Sequence, residues 1–151
     1  MSTIREMRPG DIEQVGEIWL TASIEAHDFV PEAFWRGDLE NMTTEILPSP
    51  KTRGFVFESD GRLDGFVAMG GSHVGALFVR PDEQGRGVGA ALLDHVKQLH
   101  AELDLTAYQQ NVRATRFYER EGFTIAGERT CPHTGCAEYV MRWSRAADPA
   151  T

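Results

Sequence analysis

The sequence has little cysteine and no long apolar stretch, and both shortages narrow the field. Two cysteines, Cys131 and Cys136, among 151 residues are too few for a secreted disulfide scaffold. No apolar run approaches the roughly 20 residues that span a bilayer, so no membrane partner is expected. Met1 to Arg8 alternates polar and apolar residues and carries no signal-peptide core. A cytoplasmic location is the resulting default. Internal repeats and low-complexity segments are lacking as well. Basic residues are outnumbered, with 15 Lys and Arg against 23 Asp and Glu and a formal net charge of −8. Residues 1–60 hold most of the imbalance, 5 basic against 12 acidic side chains. An acidic surface repels phosphate backbones, so no nucleic-acid partner is expected. The same charge suits a cationic substrate, or it simply keeps the surface solvated. With 41% hydrophobic and 25% charged residues, a chain of this length buries one core and makes one domain.

Hydrophobic spacing then orders the chain. Thr3 to Arg8 reads as a strand. Asp11, after Pro9-Gly10, is the expected N-cap of a helix with Ile12, Val15, Trp19, Ala22 and Ala26 on one face. His27 to Pro31 breaks that helix, and a second is expected from Glu32 to Ile46. Asp60-Gly61 between two apolar runs predicts a β-hairpin. Gly70-Gly71-Ser72 turns into a third strand, His73 to Arg80. A helix is expected from Val88 to His100, a strand from Leu103 to Tyr108, and a helix from Asn111 to Glu121 stopped by Gly122. Phe123 to Arg129 and Ala137 to Trp143 close as a strand pair. The order β-α-α-β-β-β-α-β-α-β-β is an α/β fold with a mixed, mostly antiparallel sheet and helices on its faces.

Gln84-Gly85-Arg86-Gly87-Val88-Gly89 lies between a strand and a helix. A helix start leaves backbone N–H groups unpaired and carries partial positive charge. Glycines let the backbone approach an anion, and Arg86 adds a cation, so the segment suits a phosphate or pyrophosphate. No Gly-Lys-Ser/Thr follows, which excludes a P-loop. Gly85, Gly87 and Ala90 nominally fit a dinucleotide fingerprint, but Pro81 to Gln84 intervenes and the strands before it form a meander. A tightly turning loop that holds no anion stays the alternative.

The loop resembles the Q/R-x-x-G-x-G/A signature of the GNAT acetyltransferase superfamily. A second segment resembles that family's N-x-x-A-x-x-x-Y-x-x-x-G-F stretch through Asn111, Ala114, Tyr118, Gly122 and Phe123. The element order agrees, and the likeness covers residues 3–143, leaving 144–151 as a C-terminal tail. Within the superfamily the chain is similar to small single-domain bacterial enzymes of the YjaB and YiaC type. The resemblance implies the GNAT acyl-CoA N-acyltransferase fold and acetyl transfer from acetyl-CoA to an amine. That amine is a protein lysine, a protein N-terminus or a small molecule; a homodimer is also common in such enzymes. It implies that backbone groups of Leu77, Phe78 and Val79 pair with the pantetheine arm. The loop of Gln84, Gly85, Arg86, Gly87, Val88, Gly89 and Ala90 would bind the cofactor, with its amides on the pyrophosphate. Asn111 would hold the arm from the facing strand end, and Tyr118 would sit near the thioester sulfur.

The chemistry asks for a way to deprotonate the acceptor. A lysine-like amine, pKa about 10.4, lies ~3.4 units above neutral pH, a cost of about 4.6 kcal/mol. Many relatives carry a glutamate on the central strand five residues before the asparagine; here that position is Thr106. Candidate bases are His27, Asp28, His73 and Tyr108, with ordered water as the alternative. Tyr118 is expected as a hydrogen-bond donor to the departing thiolate. His27, Phe29 and Tyr108 are the expected acceptor-binding residues. Cys131, His133 and Cys136 do not make a standard zinc site, so no metal is expected. A non-catalytic acyl-CoA sensor is the competing reading, favoured by the missing glutamate.

Overall fold

The computed structural model describes residues 2–145. Seven strands form one sheet in the order β1-β2-β3-β4-β5-β7-β6. They are β1 (Ser2–Glu6), β2 (Arg53–Ser59), β3 (Arg62–Gly70), β4 (His73–Val79), β5 (Glu102–Tyr108), β6 (Thr124–Thr130) and β7 (Ala137–Ser144). Helices α1 (Ile12–Ala26) and α2 (Glu32–Asn41) cover one face; α3 (Val88–Leu99) and α4 (Val112–Arg120) cover the other. Alternation along the strands feeds both layers. Phe66 and Ala68 of β3 pack with Val15, Ile18 and Trp19 of α1, whereas Val67 and Met69 pack with Leu92, Leu93 and Val96 of α3. Among the described residues no Lys or Arg is buried in the two cores, whose side chains remove apolar area from water worth about 25 cal/mol per Å².

The expected element order holds, with three local corrections. Asp11 stands at the N-cap of α1 as expected, but its side chain makes no capping bond there: its carboxylate accepts the Arg8 N–H at 2.7 Å and the Arg5 guanidinium at 2.8 and 3.0 Å. That anchor ends β1 at Glu6, short of the expected Arg8, and the Arg5 hydrogen bonds hold the Asp11 carboxyl below its ordinary pKa. The second helix is not uniform to Ile46: α2 passes at Met42 into a π-type turn, Met42–Ile46. Thr43 and Thr44 donate their hydroxyls back to Leu39 and Glu40 carbonyls at 3.0 and 2.7 Å, and such back-bonding competes with the regular ladder. Third, the chain stays engaged past residue 143. Ser144 belongs to β7, and the Arg145 guanidinium donates to the Lys97, Gln98 and His100 carbonyls that end α3. The rest of the expected tail, 146–151, lies outside the described residues.

The Asp60-Gly61 hairpin forms as expected, with both residues at positive φ, 50° and 80°. One feature of the sheet positions everything that follows. β4 and β5 run parallel but share a single ladder pair, His73↔Asp104, helped by an Asp104 N–H to Ser72 carbonyl bond of 3.2 Å. Beyond it the two strands part, and from Leu77 to Val79 β4 is paired only on its β3 side.

Candidate active site

The parting of β4 and β5 opens into a cavity of about 610 Å³, within the range of roughly 300–1,000 Å³ common for ligand pockets. Leu77, Phe78 and Val79 line one wall. Asn111, Ala114, Phe117 and Tyr118 line the other, at the start of α4 and along it. Gln84, Gly85, Gly87, Val88, Gly89 and Ala90 form the floor. The two sequence motifs, far apart in the chain, therefore face each other across one opening.

The glycine loop is shaped as the sequence predicts. Gly85 and Gly87 sit at φ 81° and 85°, a region that L side chains rarely adopt. Gly87 is the N-cap of α3, and the first intrahelical bond there runs from the Ala91 N–H to the Gly87 carbonyl. The amides of Val88, Gly89 and Ala90 thus precede the helix's own ladder. No acidic residue occupies the first turn, so nothing in the helix offsets its positive end. Gln84 donates to the Val79 carbonyl at 3.3 Å and ties the loop to the strand. Arg86 departs from expectation. Its side chain is 71% exposed, sits 3.4 Å from Glu83 and does not line the cavity. It is Val88, Gly89 and Ala90, at the start of α3, that line the cavity here.

Asn111 caps α4, its Oδ1 accepting the Ala114 N–H at 3.1 Å. Its Nδ2 donates to His27 Nε2 at 3.1 Å. Tyr118, two turns further on, is half-buried against Phe117 and Phe123, with ring centroids at 5.2 and 5.6 Å. Burial pushes its hydroxyl pKa above the ordinary value of 10, so it stays protonated and remains a donor.

His27, Phe29 and Tyr108 are brought together as one aromatic cluster. The His27 ring lies 4.9 Å from Tyr108 and 5.7 Å from Phe29, and Phe29 lies 5.4 Å from Tyr108. The hairpin between β6 and β7 closes over them: Cys131 Sγ is 3.5 Å from the Tyr108 hydroxyl, and Thr134 donates to that hydroxyl at 3.4 Å. Burial pushes the Tyr108 pKa upward too, which removes it as a base.

The premise for His27 as a base near neutral pH is corrected. The residue is 7% exposed, not a surface histidine, and burial lowers its pKa to about 4. His73 is not part of the site; it pairs with Asp104 at the opposite end of β4, where the two strands still touch. Asp28 is exposed and does not line the cavity. Thr106 lies on β5 opposite Val140 of β7 and does not line the cavity either. Among the described residues no group of three or more His, Cys, Asp or Glu is arranged to hold a metal ion.

Two carboxylates stand in this region. Glu25, on the last turn of α1, lines the cavity. Glu138 is 7% exposed, faces Tyr108 in the β5–β7 register and pairs with Arg129 at 3.2 Å. Sequence reasoning missed Glu138, though it was detectable as an acidic residue at an inward position of an alternating strand; Glu25 belongs to the acidic excess of residues 1–60 that suits a cationic substrate.

Comparison with known proteins agrees with this geometry. Residues 17–145 match the family described as "Acetyltransferase (GNAT) domain". The peptidyl-lysine N-acetyltransferase YiaC of Escherichia coli is 33% identical over 141 residues, covering 93% of this chain and 95% of YiaC. The peptidyl-lysine N-acetyltransferase YjaB of the same organism is 34% identical over 125 residues, 83% of this chain and 84% of YjaB. The solution structure of apo YjaB superposes with a TM-score of 0.82 at 28% identity, covering 95% of this chain and 97% of that one. The chain belongs to the GNAT family of acetyltransferases.

Proposed function

We propose that this protein transfers acetyl from acetyl-CoA to the side-chain amine of a protein lysine. The parting of β4 and β5 over the cavity carries the reading. An arm with alternating amide donors and acceptors fits the free edge of Leu77 to Val79 as an added strand. The Val88 to Ala90 amides suit the pyrophosphate. The lysine acceptor is supported by two relatives that are peptidyl-lysine acetyltransferases at 33% and 34% identity.

In the reaction the neutral amine attacks the thioester carbonyl. The C–N bond forms, the C–S bond breaks, and the sulfur leaves with its electron pair. Tyr118 donates a hydrogen bond to that developing thiolate. A thiol pKa near 8.5 lies below that of the tyrosine, so Tyr118 stabilises charge without surrendering its proton. In this reading the amine's excess proton passes to water: Thr106 carries no carboxylate, and burial makes His27 a weak proton acceptor. The acceptor in this reading is a cytoplasmic protein.

The test is thiol release from acetyl-CoA with a panel of lysine peptides, N-terminally blocked or free, and small amines, with products located by mass spectrometry. Acetyl on the lysine Nζ of blocked peptides is the expected result. Acetyl confined to α-amines or small amines overturns the acceptor assignment. Thr106 in place of the usual glutamate favours one other reading, an acyl-CoA sensor; acetyl-CoA binding without turnover of any acceptor would select it.

A further inference from the structure

The Asn111 side chain has four hydrogen-bonding positions, two on its oxygen and two on its nitrogen, and one of each is filled within the protein. Its Oδ1 holds the Ala114 N–H, and one amide hydrogen goes to His27 Nε2. An amide nitrogen carries two hydrogens. With the oxygen and the first hydrogen fixed, the plane of the amide is fixed, and so is the direction of the second hydrogen. Asn111 lines the cavity, so that second hydrogen belongs to the cofactor side.

His27 is built to be the fixed partner. It ends α1, is 7% exposed, and is surrounded by the rings of Phe29, Trp35, Phe78 and Tyr108 at centroid distances of 5.7, 5.4, 6.3 and 4.9 Å. Accepting at Nε2 requires the ring proton to sit on Nδ1. Nδ1 is buried and has no partner among the described residues. A second proton would set donor against donor at Nε2 and place a charge among four aromatic rings. Glu25 and Asp28, the carboxylates of the same turn, are exposed and make no hydrogen bond to the ring. The pKa of about 4 is the result of that burial. The bond also ties the α1–α2 junction to the start of α4.

We propose that His27 is a positioning residue for Asn111: its neutral ring takes one amide hydrogen at Nε2 and thereby aims the other at the pantetheine arm. This rests on the acetyl-CoA reading above and assigns that site a device reaching it from the acceptor side. His27 touches Asn111, not the reacting atoms.

Three variants test it. His27→Phe keeps a ring in the aromatic box and removes the acceptor. His27→Gln places an amide oxygen near the position of Nε2. Asn111→Ala removes the positioned group. Calorimetry with acetyl-CoA should show about 3- to 10-fold weaker binding for His27→Phe, the effect of one neutral hydrogen bond. His27→Gln should recover most of that loss, and its pH–rate profile should keep the wild-type shape. In the Asn111→Ala background His27→Phe should change affinity no further. Nitrogen-15 spectra of the wild-type imidazole, read without any turnover, should show the neutral Nδ1–H tautomer. Unchanged affinity in His27→Phe overturns the proposal. So does a His27→Gln enzyme that binds normally yet loses turnover and a limb of its pH profile, because the ring then acts as a base. An Nε2–H ring in a protein that still binds acetyl-CoA removes this proposal alone; a wild type that binds no acetyl-CoA removes the functional reading with it.

Discussion

Tyr118 and His27 show burial acting in opposite directions on two titrating groups with one outcome, since both stay uncharged at neutral pH. For Tyr118 this means a donor that persists through the alkaline range where the acceptor amine is increasingly neutral. Tyr118→Phe should lower kcat on the order of 10- to 1000-fold with little change in acetyl-CoA affinity, measured by steady-state kinetics beside calorimetry. Wild-type kcat would make the tyrosine a packing residue. For His27 the consequence is a stability effect. The imidazole titrates near 6.5 when unfolded and near 4 when folded. Between those values the unfolded chain binds more protons, so stability falls as pH falls. The contribution is fully present above about pH 6.5 and lost progressively down to about 4, a change on the order of 3 kcal/mol. Urea unfolding across that window should show the loss in wild type and a flatter profile in His27→Gln. A wild-type profile with no slope there would mean that the buried ring is not neutral.

At the scale of elements, two glycines set where α3 begins and how closely it sits. A Cβ at Gly65 of β3 would lie 3.0 Å from the Phe78 carbonyl oxygen, 3.0 Å from Val88 Cγ1 and 3.2 Å from Leu92 Cδ1. Gly65→Ala should therefore push α3 off the sheet, cost about 1–3 kcal/mol, and weaken acetyl-CoA binding through the displaced loop. Thermal unfolding and calorimetry on one sample check both effects, and an unaltered melting temperature would show that α3 relaxes freely. Gly87→Glu combines a side chain at φ 85° with a negative charge among the Val88 to Ala90 amides, and should abolish acetyl-CoA binding. Normal affinity in that variant would place the pyrophosphate elsewhere. Both glycine effects differ in legibility. The Gly85 to Gly89 loop could be read because spacing, strand and helix start are all local. Gly65 could not, because its neighbours Val88 and Leu92 lie more than 20 positions along the chain. The same division runs through the site. Asn111 and Tyr118 follow from seven-residue helical spacing, whereas the His27–Asn111 bond joins positions 84 apart. The side-chain partners of Arg86 and Asp11 were not legible for a related reason: a charged side chain goes to whichever partner the fold brings near, Glu83 for one and Arg5 for the other.

Over the whole molecule, the acidic excess of residues 1–60 falls on the elements α1, α2 and their junction, the layer that carries Phe29 and Glu25. Steering by that charge raises KM for a lysine peptide as salt rises from roughly 0.01 to 0.15 M, because the Debye length shrinks from about 30 to 8 Å. The chemical step is unaffected, so kcat should hold constant; a kcat that falls in parallel would point to disruption of the site instead. The sheet itself carries a further consequence. Seven strands are continuous in order but nearly severed between β4 and β5, where one ladder pair joins β1-β2-β3-β4 to β5-β7-β6. Backbone amides of β4 that point into the gap depend on the arriving cosubstrate for their partners. Deuterium uptake should therefore be fast along Leu77 to Val79 in the free protein and slow sharply once acetyl-CoA is bound, while the β2–β3 ladder, paired on both sides, keeps its protection unchanged. On the proposed reading the cosubstrate would serve as the missing eighth strand, and saturation with it should turn two loosely joined half-sheets into one cooperative unit.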